Sequence, residues 1–123
     1  MSSGERAGRN YITEGNSMVL CGSNSYNQKY YLDKRFEKLP TKVKEELKIM
    51  CVLFTEEVGG TITFSYDEDG GLEIETGCDE GDLLYDDIGA GLLVKKLRTE
   101  RQEFFEALEL YYRVFILGEK FEE

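Results

Sequence analysis

The sequence predicts a single α+β domain: a helix, an antiparallel β-hairpin with room for a third strand, and a long C-terminal helix. Three observations predict it. Apolar residues recur at helical spacing after Pro40, alternate with a period of two across residues 61–76, and return to helical spacing from Leu92 to Leu117. A chain of 123 residues with 41% hydrophobic content supports one core.

Residues 1–17, MSSGERAGRNYITEGNS, are polar and aperiodic and are expected to be a disordered extension, which places the domain at 18–123. Met18-Val19-Leu20 is the first apolar patch, and Met18 is a natural start for a chain without the extension. Gly22–Asn27 is expected to be a loop and Lys29–Leu32 a short strand. Pro40 suits the first position of a helix, where its missing N–H leaves no bond unmade. Val43, Leu47, Met50, Cys51, Phe54 and Val58 then form one stripe, and Gly59-Gly60 ends the helix.

In the hairpin, Ile62, Phe64 and Tyr66 alternate with Thr61, Thr63 and Ser65. Asp67–Gly71 is the turn, and Leu72 and Ile74 face inward on the return strand. Two strands alone are marginal, so a third is expected from Leu83-Leu84-Tyr85 or from Lys29–Leu32. One unbroken helix from Leu92 to Leu117 would be about 39 Å long, which exceeds the diameter of a small domain. Its apolar residues point in nearly every direction. A homodimer through Phe105, Leu108, Tyr112 and Phe115 would cover them. The alternative is that Val19–Leu39 wraps over the helix within one chain.

The formal net charge is −10. No Lys or Arg occurs from Ile49 to Val94, a stretch that holds twelve acids. The candidate acidic surface comprises Glu56, Glu57, Asp67, Glu68, Asp69, Asp79, Glu80, Asp82, Asp86 and Asp87. Such a field repels nucleic acid and anionic membranes, and Lys95, Lys96, Arg98 and Arg101 form the one basic cluster that argues otherwise. It attracts a basic protein surface, it can mimic a phosphate backbone, and it also serves simply to keep a protein dissolved.

The chain has no histidine, which removes Ser-His-Asp and Cys-His catalysis. Three cysteines without a C-x-x-C pair give no zinc site, and Asp67-Glu68-Asp69-Gly70 puts its glycine at the wrong position for a calcium loop. Gly89-Ala90-Gly91 lacks the third glycine and the Lys-Ser/Thr of phosphate-binding loops. Cys51 reads as a core hydrophobe, while Cys21 and Cys78 fall in glycine-containing loops. An odd cysteine count, no signal peptide and no long apolar run together predict a cytoplasmic protein. No catalytic residue, cofactor or metal ligand is assigned. The carboxylates of Asp79–Asp87 are the only residues that suggest a metal-dependent or small-molecule site.

Several segments resemble a family of short, acidic bacterial proteins classed only as a domain of unknown function. They are Val19-Leu20-Cys21-Gly22-Ser23-Asn24, Lys29-Tyr30-Tyr31, Leu39-Pro40, Glu45–Gly60, Asp79-Glu80-Gly81-Asp82 and Ala107–Glu119. The resemblance implies a bacterial origin and a start at Met18, and it implies no activity. The function expected from the residues is therefore a non-enzymatic interaction module that offers its acidic segment to a basic protein partner. The rivals are the carboxylate site and a nucleic-acid mimic.

Overall fold

The structure, a computed structural model, describes residues 18–118. The extension expected at 1–17 lies outside the described residues. In chain order the elements are strand β1 (Met18–Asn24), strand β2 (Lys29–Leu32), a 3-10 turn (Lys34–Phe36), helix α1 (Thr41–Val58), strand β3 (Thr61–Tyr66), strand β4 (Leu72–Gly77), helix α2 (Asp87–Glu100), helix α3 (Gln102–Tyr111) and a π-helical turn (Tyr112–Ile116). The fold is α+β: one antiparallel sheet in the order β2-β1-β3-β4, with the helices on one face.

The predicted hairpin pairs Phe64 with Ile74 and Ile62 with Thr76, and Ile62, Phe64 and Tyr66 are fully buried under the helices. The extra strands come from the N-terminal side. Gly22–Asn24, expected in a loop, extends β1, whose Cys21 lies opposite Phe64 and whose Ser23 lies opposite Ile62. The register shifts between Val19 and Cys21, so Leu20 has no partner on β3; it is fully buried, and its carbonyl accepts from the Asp33 amide at 2.9 Å. That bulge lets two consecutive residues, Leu20 and Cys21, both enter the core. Lys29–Leu32 is a strand, as expected. Leu83–Tyr85 is not: it belongs to an irregular segment between β4 and α2.

α1 begins after Pro40 and buries Leu47, Met50, Cys51, Phe54 and Val58, the predicted stripe. Its contact with β1 is partly polar. The Thr55 hydroxyl lies 3.2 Å from the carbonyls of Cys51 and Val52, to which it donates, and 3.0 Å from Ser23 Oγ. The Cys21 and Cys51 sulfurs are 3.9 Å apart, and both thiols are free.

The expected single C-terminal helix is broken. Arg101 leaves helical geometry (φ −117°, ψ 30°) between α2 and α3. No Gly or Pro causes the break. The Arg101 guanidinium pairs with Glu46 of α1 and sits 4.8 Å over the Phe104 ring, so the bend is held by tertiary contacts. Bending brings α3 over the sheet. Phe105 meets Phe64 edge-on at 5.7 Å, Tyr112 stacks on Tyr66 at 4.0 Å, and Phe36 stacks beside both. The Tyr66 hydroxyl donates to the Leu108 carbonyl at 3.0 Å.

These contacts place most of the residues expected at a dimer interface inside the single chain. Phe105, Leu108 and Tyr112 are buried within the single chain, and of the four residues only Phe115 is exposed, at 70%. The segment wrapping over the helix supplies the cover through Phe36 and Leu39. A dimer could use Phe105, Leu108 or Tyr112 only by opening this core.

Candidate functional site

Three loops meet at one end of the sheet. The β1–β2 turn is joined to the end of α1 by the Ser25 amide, which donates to the Gly60 carbonyl at 2.9 Å. The same turn is joined to the segment after β4 by Tyr26. Its hydroxyl donates to Asp82 Oδ2 and accepts from the Asp79 amide at 2.9 Å. The hydrogen bond to Asp82 is the main cause that pushes the Tyr26 phenol above its ordinary pKa, so it stays a donor across the physiological range.

Gly60 closes the cluster. Its φ is +69°, and a Cβ there would fall 2.1 Å from the Gly77 carbonyl oxygen and 2.6 Å from the Tyr85 ring. Only glycine allows that ring so close to the backbone. The Tyr85 hydroxyl is buried without a hydrogen-bond partner among the described residues. Asp82 Oδ1 also accepts from the Leu84 amide at 3.0 Å, and Asp86 caps α2 by accepting from the Gly89 amide at 2.8 Å. The segment from Asp79 to Asp87 is irregular and yet fixed at Asp79, Asp82, Tyr85 and Asp86.

What these anchors hold outward is apolar. Leu83 and Leu84 are each 93% exposed, and Ile88, on the first turn of α2, is 78% exposed. Consecutive leucines in full solvent contact, on a segment tied at both ends, are the most exposed large apolar side chains among the described residues. Sequence reasoning offered these leucines as one of two candidates for a third strand and missed them as surface. The signal that could have found them is their position between Asp82 and the Asp86 cap, where no alternating pattern continues.

The structure divides the acidic residues expected to form one surface. Glu56 and Glu57, on the last turn of α1, lie at the same end as Asp79, Glu80, Asp82, Asp86 and Asp87. Asp67, Glu68 and Asp69 form the β3–β4 turn at the opposite end, about 17 Å away along a six-residue strand. Asp67 is committed to that turn: its Oδ1 accepts from the amides of Asp69 and Gly71. At the first end Asp82 and Asp86 are likewise engaged, whereas Glu56, Glu57, Asp79, Glu80 and Asp87 make no side-chain hydrogen bond or ion pair among the described residues.

Two of the four cations in the basic cluster are engaged elsewhere. Arg98 donates to the Leu72 carbonyl at 3.2 Å, and Arg101 pairs with Glu46. Among the described residues, no three His, Cys, Asp or Glu side chains converge in a way that could hold a metal ion. None of the described helices is long and apolar enough to cross a membrane.

No curated protein and no solved structure matches the chain. Residues 17–120 match a family described as a family of unknown function, DUF6145, and the chain belongs to that family.

Proposed function

We propose that the protein is a non-enzymatic interaction module, and that its docking surface is the loop end built around Leu83, Leu84 and Ile88. One observation carries the reading: two adjacent leucines stand almost fully in water on a segment that Tyr26 and the Asp86 cap hold in place. Exposing them costs solvation and contributes nothing to this chain's own core. Preorganisation lowers the ordering cost of binding.

The partner's chemistry follows from the rim. Asp79, Glu80 and Asp87 on the segment itself, with Glu56 and Glu57 of α1 at the same end of the sheet, are carboxylates without a partner among the described residues, and no Lys or Arg between Ile49 and Val94 offsets them. An occupant with an apolar centre and Lys or Arg at its edge fits both features, and the acids would steer its approach. A segment of a basic protein has that character, whereas nucleic acid does not.

The test is affinity capture by the full chain, compared with L83S/L84S and with Glu68→Lys at the far turn. Proteins held by the wild type and by Glu68→Lys, but released by L83S/L84S and by high salt, support the proposal. An identical set captured by L83S/L84S overturns it.

A further inference from the structure

Leu83 and Leu84 are almost fully exposed, so no part of their own chain surrounds them and they form a protruding knob. A surface of the opposite shape lies elsewhere on the same chain. Between the start of α1 and helix α3 is an apolar groove of about 200 Å³. Leu39, Pro40 and Val43 wall it on one side, and Phe104, Ala107 and Tyr111 on the other. Phe115, exposed and 4.9 Å from the Tyr111 ring, prolongs the α3 wall. We infer that this groove receives the Leu83-Leu84 knob of a second copy of the chain, an inference that rests on reading those leucines as a docking surface.

Size argues against a small molecule as the occupant. The groove is smaller than the roughly 300–1,000 Å³ of small-molecule sites, and its walls carry no charged side chain to fix a polar ligand. It suits apolar side chains inserted from another protein surface.

Charge selects this chain's own loop. Residues 33–44 carry five cations, Lys34, Arg35, Lys38, Lys42 and Lys44, against the two acids Asp33 and Glu37. Lys38 and Lys42, on either side of Leu39 and Pro40 in sequence, are exposed and make no ion pair or hydrogen bond among the described residues. They complement Asp79, Glu80 and Asp87 beside the knob, which are likewise without partners among the described residues. The α3 wall carries Glu103 and Glu106, so the incoming acids are set against the α1 wall, and docking has one favoured orientation. The knob calls for an occupant that is apolar with basic edges, and the groove for one that is apolar with acidic edges. One chain meets both requirements. A pairing of knob with knob would set acids against acids.

A knob cannot fill the groove of its own chain. The groove lies at the start of α1, whose 18 residues span about 27 Å, and the knob's segment is packed through Tyr85 against Gly60, past the helix's other end. The contact is therefore intermolecular and joins unlike surfaces.

The test is light scattering of the full chain across concentration. The wild type should rise above the monomer mass between about 10 μM and 1 mM, and added salt should weaken the association. L83S/L84S, and Ala107→Glu in the exposed groove wall, should each stay monomeric and melt close to the wild type. Mixing these two variants should restore association, but only to a pair, because one keeps the knob and the other keeps the groove. Lys38→Glu/Lys42→Glu, two surface changes, should weaken self-association at least about tenfold. The inference is overturned if the wild type is monomeric throughout, if any variant associates as the wild type does, if salt has no effect, or if the mixture stays monomeric. A monomeric wild type whose captured proteins are still released by L83S/L84S removes the groove as the occupant's site and leaves the docking surface standing.

Discussion

Tyr26 and Asp82, fifty-six positions apart in sequence, are joined by a hydrogen bond from the phenol to the carboxylate. The same phenol accepts from the Asp79 amide, so one side chain fixes the register of the loop that presents Leu83 and Leu84. Removing the hydroxyl should free that loop and leave the core intact. Tyr26→Phe is expected to speed amide exchange at Asp79 and Leu84 while melting within a few degrees of the wild type. Unchanged exchange would show that the loop is held by other contacts.

The sheet register makes unequal costs along β3. Phe64 is fully buried and touches Phe105, so Phe64→Ala should cost about 3–5 kcal/mol. Thr63, its neighbour on the opposite face, should lose well under about 1 kcal/mol on change to Ala. Denaturant unfolding decides this, and equal losses would contradict the register.

The three cysteines should differ in reactivity. Cys78 is exposed, whereas Cys21 and Cys51 are buried against each other. The contact with Cys21, together with burial, pushes the Cys51 thiol far above its ordinary range. A disulfide reagent should titrate one thiol in the native protein and all three in denaturant. Rapid native modification of Cys51 would show that β1 and α1 separate readily.

Tyrosine ionisation should limit stability at high pH. Tyr30 and Tyr66 have pKa values raised chiefly by burial, and Tyr31 and Tyr112 are raised by the same cause. A raised native pKa means that, above the unfolded value of about 10, the unfolded chain binds fewer protons than the native one. The stabilisation is complete below that pH and is lost as pH rises through it. Melting temperature should therefore fall above about pH 10, with tyrosinate absorbance appearing in step with unfolding. A smooth titration of all tyrosines in the folded protein would contradict the burial described.

The parts of the fold set by local periodicity were legible in the sequence. The alternation of Ile62, Phe64, Leu72 and Ile74 and the stripe from Val43 to Val58 each carry their period within one segment. Strand β1 was not legible past Leu20, because Gly22, Ser23 and Asn24 are small and polar. Ser23 is buried on account of Thr55, thirty-two residues away, and Gly22 is in a strand where the Tyr31 ring needs the space of its missing Cβ. The break at Arg101 has the same origin, since Glu46 and Phe104 hold a bend that no glycine or proline announces. At the candidate site the acids were legible as a composition. Their division between two ends of a strand was not, and neither was the exposure of Leu83 and Leu84, because both depend on where β3 and β4 put their loops.

The proposed docking surface is tested most directly by site-specific photo-crosslinking in the native host. A photoreactive residue is placed at position 84, at the loop end, and in a second protein at position 68, in the opposite turn. The account predicts discrete protein adducts from position 84, lost when Glu80 and Asp87 are changed to Lys, and none from position 68. Adducts of equal yield from both positions, or none from position 84, would contradict it.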